Sequence, residues 1–369
     1  MTDSLPDLDQ LIDMLGEPTT RETALGNLHQ YGEPAVEAMI AGLQDEGENI
    51  RHGVIWAINR VNNSALGDMI VPAAWDHLTT ILQKDESGRV RLQALNTLAK
   101  LANHDHYEAL ADPMLAALED SQEQIRGDAI HLLAHMRVER ALKPLRSLLD
   151  QETSAKVRGR IAYALAYLES DLKTLKDAGT TGTEALLEAL DDPERGIRLR
   201  AIWALGQLKD TQAVRSLTSI LSSSGSAQEK HTAAEALAVI GDNSALEPLI
   251  MALQFDDEES VKRAAADALA VLGDKRAVDV LVQSLRTASQ PLVRASAARA
   301  LATFADRSTT DDLIAALDDT SVDVRLQAVL ALGKIGLKRT IPALKALLEV
   351  EESAHTRTAI SQILDKLEG

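Results

Sequence analysis

The sequence predicts an all-α fold, an α-α superhelix in which about eleven helix pairs stack into a solenoid. The first observation is internal repetition, because one short phrase recurs along the 369 residues, at intervals typical of a helix-pair repeat. The second observation is composition. Aromatic residues make up only 2% of the chain, while alanine and leucine, which are strong helix formers, are abundant. Small side chains also allow helices to pack closely, so we expect helices throughout.

The recurring phrase consists of a β-branched apolar residue, a basic residue, two variable residues, alanine, an apolar residue, a variable residue, alanine and leucine. It is clearest at Ile197–Leu205 (IRLRAIWAL), Val261–Leu269 (VKRAAADAL) and Val324–Leu332 (VRLQAVLAL). Aligning the chain on the basic residue gives one position in each repeat, and successive positions are 30 to 40 residues apart: Arg21, Arg51, Arg91, Arg126, Arg158, Arg198, Lys230, Lys262, Arg294, Arg325 and Arg357.

This alignment predicts one buried face in each repeat. Every repeat has leucine or isoleucine seven residues after the basic residue, and the position three residues further on is never strongly polar. Steps of three and four residues follow one face of an α-helix. We call these helices B and predict them near residues 20–32, 50–62, 90–102, 125–137, 157–169, 197–209, 229–241, 261–273, 293–305, 324–336 and 356–368.

A second amphipathic helix, helix A, is expected before each helix B, as in Ala245–Leu253 and Ala277–Leu285. The pairs Gly241-Asp242 and Gly273-Asp274 predict the turns from B to A, because glycine supplies a left-handed C-cap and aspartate can cap the next helix. Eight repeats also have an acid six residues before the basic residue. We expect these acids to cap helix B and to pair with the ladder of basic side chains: Asp45, Asp85, Asp120, Glu152, Asp192, Asp256, Asp319 and Glu351.

The repeated phrase and its preceding acid resemble the HEAT-like repeat of the phycobilisome lyase type, whose signature is D-x-x-x-x-V-R-x-x-A-A-x-A-L-G-x-I-G. The resemblance covers nearly the whole chain and implies stacked helix pairs with helices B on the concave side. A single repeat cannot bury its apolar face alone, so residues 1–369 are expected to form one continuous array. Two insertions interrupt it, near Asn62–Val71 and Ser170–Gly182, either as functional loops or as plain variation in length.

The face of helix B opposite the core takes the residues one, two, five and nine positions after the basic residue. These positions hold four of the nine aromatic residues and four of the nine histidines, all in repeats 2 to 7. Aromatic side chains with arginine and histidine are typical of recognition hot spots, although large side chains could simply fill a tightly curved surface. The predicted partner-binding residues are His52, Trp56, Arg60, Asn96, His131, His135, Arg160, Tyr163, Tyr167, Arg200, Trp203 and His231.

The sequence offers little evidence for a metal site or for a hydrolytic active site. Asp128, His131 and His135 share one helix face and form a candidate metal site that lacks a fourth ligand, and no cofactor is expected. No P-loop, G-x-S-x-G or H-E-x-x-H motif occurs. Deoxyhypusine hydroxylase, which has similar repeats, carries His-Glu pairs for its iron centre, and this chain has no His-Glu dipeptide. We therefore expect a non-catalytic scaffold.

A bilin lyase or isomerase is the enzymatic alternative that the resemblance leaves open. A linear tetrapyrrole would need an aromatic groove, for which Trp56, Tyr163 and Trp203 are candidates. Its propionates would need cations, for which Arg160 and Arg200 are candidates.

The charge of the chain bears on its partners. The net charge is -18, and residues 1–50 hold 11 acids against one base, Arg21. Because such a field repels phosphate backbones, nucleic acid is not an expected partner. No cysteine, signal-like leader or long apolar run occurs, so we expect a cytoplasmic protein with no membrane span. The expected partner is a protein or peptide in the groove of repeats 2 to 7, or a basic partner on the acidic first repeats.

Overall fold

The computed structural model describes residues 6–61, 64–102, 106–169 and 172–368. Within these residues the chain forms 23 α-helices, joined in places by short 3-10 turns, and no β-strand. The predicted all-α solenoid class is confirmed.

Each predicted helix B is present, and each is preceded by a helix A. The helices A are α1 (Leu8–Gly16), α3 (Glu33–Gly42), α5 (Ala65–Lys84), α7 (Tyr107–Ala117), α9 (Leu142–Leu149), α12 (Thr180–Ala189), α14 (Val214–Leu221), α16 (Leu246–Phe255), α18 (Val278–Thr287), α20 (Thr310–Ala315) and α22 (Ile341–Val350). The helices B are α2 (Arg21–Leu28), α4 (Glu48–Arg60), α6 (Gly88–Leu101), α8 (Glu123–His135), α10 (Ala155–Leu168), α13 (Arg195–Leu208), α15 (Ala227–Ile240), α17 (Glu259–Leu272), α19 (Pro291–Phe304), α21 (Val322–Ile335) and α23 (Ala354–Glu368).

The helices fall into two compact units, Met1–Ser170 and Asp171–Gly369. In the first unit α4, α6, α8 and α10 pack side by side, and in the second unit α13, α15, α17, α19, α21 and α23 do the same. Most helices B also pack on their own helix A. The single continuous array over residues 1–369 stays a prediction.

The two predicted insertions have different structures. The first lengthens α5 to 20 residues, and its first two residues, Asn62 and Asn63, lie outside the described part of the chain. The second forms an additional short helix, α11 (Lys173–Ala178), ahead of α12, while Ser170 and Asp171 also lie outside the described residues.

Leucine fills the core at the position that the repeat alignment predicts. The residue seven positions after the basic residue is buried in every repeat, from Leu28 to Leu364. Between neighbouring helices B the contact is close enough to require small residues. A Cβ atom added at Gly206 of α13 would lie 2.8 Å from the Cα of Ala236 in α15. This spacing explains why alanine and glycine recur along helix B.

Within each unit a ladder of ion pairs joins several pairs of consecutive repeats, as the acid and basic positions predict. Arg51 donates from Nε and Nη2 to Asp85 at 2.7 and 3.0 Å, and its Nη1 donates to the carbonyl of Asp45 at 2.8 Å. The acid also accepts the backbone N–H two residues later, at 2.9 Å for Asp85 and Ser87. The same acid–base pairing recurs at Arg91–Asp120, Arg126–Glu152, Lys230–Asp256, Arg294–Asp319 and Arg325–Glu351.

The predicted Gly-Asp turns are confirmed. Gly241 and Gly273 end α15 and α17 in the left-handed conformation, with φ of 76° and 68°. Asp242 accepts the N–H of Ser244 at 2.8 Å, and Asp274 accepts that of Arg276 at 3.0 Å. Each aspartate therefore caps the 3-10 turn that leads into the next helix A.

Candidate functional site

Trp56 lies among cationic side chains on the first unit. Its ring is half-buried in the middle of α4, and the guanidinium carbons of Arg21 and Arg60 lie 5.1 and 5.3 Å from the ring centroid. These are cation–π distances. The exposed Arg60 also forms an ion pair with Glu22 of α2. We call Arg21, His52, Trp56, Arg60 and Arg89 the Trp56 cluster.

His52 and Arg89 complete this cluster. The Nδ1 atom of His52 lies 3.4 Å from Nη2 of Arg89, and Arg89 lies 3.8 Å from Glu48. Burial lowers the pKa of His52, and the positive charges of Arg89 and Arg21 lower it further. Both effects favour the neutral imidazole, which can donate or accept a hydrogen bond without adding charge.

Four aromatic rings form a second group across α8 and α10. The ring centroids of His131 and Tyr163 lie 5.7 Å apart, those of Tyr163 and Tyr167 5.8 Å, and those of His131 and His135 6.5 Å. The guanidinium of Arg137 lies 5.7 Å from the Tyr167 ring, and Tyr167 is 36% exposed. We call these five residues the Tyr167 cluster. It places the partly exposed Tyr167 ring and the exposed Arg137 at the surface.

Arg160 and Tyr163 are buried, although the sequence analysis placed them on an exposed face. Arg160 is 7% exposed and Tyr163 is 6% exposed. Gly127 of α8 explains the burial of Arg160, because a Cβ atom there would lie 3.1 Å from the arginine Cδ. The long side chain lies flat over that glycine, and its Nη1 donates to Asp128 at 2.5 Å. Their roles in partner binding stay predictions.

The candidate metal site of Asp128, His131 and His135 does not assemble. Asp128 is held by Arg160, while the two histidines stack on each other. Across the part of the chain that the structure describes, no group of three histidine or acidic side chains is arranged to hold a metal ion.

The remaining predicted residues lie on both units. Asn96 is exposed on α6. In the second unit the guanidinium of Arg200 lies 4.0 Å from the Trp203 ring centroid and covers one face of the half-buried indole. His231 is fixed by contacts of 2.9 Å to the carbonyl of Ser260 and 3.3 Å to Glu235.

Sequence reasoning did not identify Arg21, Arg89 and Arg137 as site residues. The repeat alignment places Arg21 in the ladder. Arg137 stands where glycine ends other helices B, and its φ of 55° is unusual for a residue with a side chain. The break in the glycine pattern was the available signal at that position.

Comparison with family models agrees with this architecture. The family model described as HEAT repeats matches residues 8–99, 75–166, 183–270, 214–302 and 278–365. The chain belongs to the HEAT-repeat family. Among solved structures, this HEAT-repeat protein is similar to the X-ray structure of YibA from Escherichia coli, with 21% identity, a TM-score of 0.47, and coverage of 77% of this chain and 98% of that chain. No curated protein matches it.

None of the helices of this HEAT-repeat protein, over the described ranges, combines the length and apolarity needed to cross a bilayer.

Proposed function

We propose that this HEAT-repeat protein is a non-catalytic scaffold that binds a segment of a partner protein on the surface formed by α4, α6, α8 and α10. The observation that carries the proposal is the presence of two aromatic clusters with cations on this one row of helices. Trp56 contributes a half-buried indole at one end, and Tyr167 contributes a partly exposed phenol at the other. Rigid aromatic groups beside arginine are the side chains that most often dominate binding energy.

The spacing of the two clusters favours an extended segment. Trp56 on α4 and Tyr167 on α10 are separated by three helix-to-helix steps, and each step between packed helices is about 8–10 Å. The distance of about 25–30 Å matches an extended chain of roughly eight residues. On this proposal the partner places an apolar side chain against each cluster, and the exposed Asn96 provides a polar contact between them.

In the second unit, Arg200 covers one face of the Trp203 ring, and we propose that this pair and His231 contribute to binding as well. We also propose the phycobilisome lyase type as the repeat subtype and the cytoplasm as the location. The tetrapyrrole alternative is less well supported, because Arg160, one of its two propionate ligands, is buried against Asp128.

Quantitative affinity purification from lysate of the source organism tests the scaffold proposal. Wild type is compared with Trp56→Ala/Tyr167→Ala and with the control Phe255→Ala, which removes a 68% exposed aromatic residue from a helix A. A recovered partner is then titrated by calorimetry against all three proteins. We expect the double variant to lose at least about 30-fold in affinity, because a hot-spot residue contributes about 2 kcal/mol or more, and the control to bind normally. Equal binding by all three proteins would exclude this surface.

The tetrapyrrole alternative has its own test. A linear tetrapyrrole is titrated into the wild-type protein and followed by absorbance. A saturable spectral change that Trp56→Ala removes would favour the lyase-like function over the scaffold.

A further inference from the structure

Arg21 occupies the ladder position of the first repeat but does not form the ladder ion pair. In the next repeat Arg51 donates to Asp85, the acid that stands six residues before the following basic residue. The corresponding acid for Arg21 is Asp45, whose carboxylate accepts the N–H of Gly47 at 2.7 Å, as the other ladder acids do with their own turn, but forms no ion pair with Arg21. Arg21 turns toward Trp56 and lies over its ring.

The burial of Arg21 makes this departure significant. The residue is only 9% exposed, and its Nε and Nη2 atoms are buried without a hydrogen-bond partner. A buried guanidinium normally has a carboxylate or other acceptor, because removing a charge from water without a partner is unfavourable. Burial lowers the pKa of Arg21, and the nearby positive charge of Arg89 lowers it further. The residues that the structure describes therefore supply no hydrogen-bond acceptor for Nε and Nη2 of Arg21.

The surroundings indicate which acceptor fits. The guanidinium fork matches a carboxylate or a phosphate, and the Trp56 ring beside it offers apolar surface. The acids Glu17 and Glu22 act on Arg21 electrostatically, and residues 1–50 carry ten more negative than positive charges. This field disfavours a dianion, such as a phosphate monoester, more strongly than a monoanion.

We propose that Arg21, with Trp56, Arg89 and His52, forms a binding site for a monoanionic carboxylate attached to an apolar group. The C-terminus of a polypeptide has this chemistry, as does a free acid with an aromatic or aliphatic body. Because Nε and Nη2 of Arg21 are buried in the free protein, the guanidinium would turn from the Trp56 ring toward solvent to bind the carboxylate. Trp56 would then contact the apolar group, and Arg89 would add a second cation. The inference deepens the proposed function, because such a site would anchor one end of the partner segment.

The test uses small probes and needs no partner, so its failure and the failure of the scaffold proposal are distinguishable. Trp75→Phe/Trp203→Phe leaves Trp56 as the single tryptophan of the chain, and its fluorescence reports on the site. The probes are N-acetylphenylalanine, its amide, which lacks the carboxylate, and phenyl phosphate, all at constant ionic strength. A short peptide with a free C-terminus, compared with its C-terminal amide, distinguishes a polypeptide source from a free acid.

We expect a saturable fluorescence change with N-acetylphenylalanine, no saturable change with the amide, and weaker binding of phenyl phosphate. Arg21→Met should abolish the change. Arg89→Met, which alters an exposed side chain, should weaken binding severalfold. The control Arg299→Met, which removes a half-exposed arginine paired with Asp267 in the second unit, should bind as before. Equal responses to acid and amide, or tighter binding of phenyl phosphate, would overturn the proposal.

Thermal unfolding without any probe gives an independent measurement on the same arginine. Arg21→Met should unfold at the same temperature as the parent protein or higher, because it removes a buried charge that has no partner. Arg51→Met, at the same position of the next repeat, should unfold at a clearly lower temperature, because it leaves Asp85 without its guanidinium. An equal decrease in both variants would show that Arg21 is already satisfied in the free protein and would overturn the site.

Discussion

The ladder pair between Arg325 and Glu351 provides a sharp test of how the repeats are held together. Arg325 donates to Glu351 from Nε at 2.7 Å and from Nη2 at 2.9 Å. The glutamate side chain is 0% exposed and the arginine 17%. The perturbation is Arg325→Met, which keeps most of the aliphatic stem and removes the charge.

The expected loss of stability follows from the contacts that Glu351 keeps after the substitution. Glu351 would keep the N–H of Ser353 at 3.0 Å but would lose both bonds to the guanidinium. Removing one partner of a buried ion pair lowers the free energy of unfolding by about 3–5 kcal/mol. Because Arg325 is partly exposed, we expect a loss near the lower end of this range, about 3 kcal/mol. Arg325→Met/Glu351→Gln should recover part of this loss, because the remaining partner is then uncharged.

The pH dependence adds a second, independent expectation. The hydrogen bond from Arg325 lowers the pKa of Glu351, so the pair stabilises the folded state above the unfolded pKa of about 4.3. This contribution disappears as the pH falls through the lower pKa of the folded state. In Arg325→Met, burial without a cation raises the glutamate pKa, and protonation then relieves the buried charge. The difference between wild type and variant should therefore be larger at pH 7 than at pH 4.

Hydrogen exchange of α21, α22 and α23, together with urea unfolding at both pH values, measures this effect. Exchange is included because stability in repeat arrays is a sum of local terms and unfolding need not be two-state. The matched control is Arg339→Met, which removes an exposed pair with Asp311 and should cost less than about 1 kcal/mol. A loss below about 1 kcal/mol for Arg325→Met, or the same loss at pH 4 and pH 7, would refute the reasoning.

Two glycine comparisons test close packing and turn geometry by urea unfolding. Gly53→Ala should destabilise the first unit by about 1–3 kcal/mol, because the added Cβ would lie 2.0 Å from the carbonyl oxygen of Leu15; Gly196→Ala, with open space around it, should be neutral or stabilise by up to about 1 kcal/mol. Equal effects would contradict the packing argument. Gly241→Ala should cost about 1 kcal/mol at φ of 76°, whereas Lys209→Gly should stabilise by up to about 1 kcal/mol, because Lys209 adopts φ of 57°. The same sign for both changes would contradict the turn argument.

The helix arrangement was predictable because repetition supplies the same evidence many times. Three- and four-residue steps recur in every helix B, and the predicted leucine positions are buried from Leu28 to Leu364. Gly241 and Gly273 could be identified as caps because the left-handed conformation strongly favours glycine. The extra helix α11 was harder to predict from the sequence, because an insertion occurs only once and no second copy is present for comparison.

The candidate site was only partly predictable from the sequence. Helical spacing placed Trp56 and Tyr167 on the surface formed by helices B, but it also placed Arg160 there, and Arg160 is buried. Spacing gives the direction of a side chain from its own helix and carries no information on the neighbouring helix. In this case the decisive neighbour was Gly127, which leaves room for the arginine beside Asp128.

The sequence by itself therefore determined the class of fold, the positions of the helices, the buried leucines and the pairing rule of the ladder, because each depends on local periodicity or on a residue type repeated at fixed spacing. The tertiary structure decided which members of the pattern depart from it. Arg21 has the same place in the repeat as Arg51, yet one packs on Trp56 without a carboxylate and the other binds Asp85. That difference arises because the position of a long charged side chain depends on the groups that surround it in the fold.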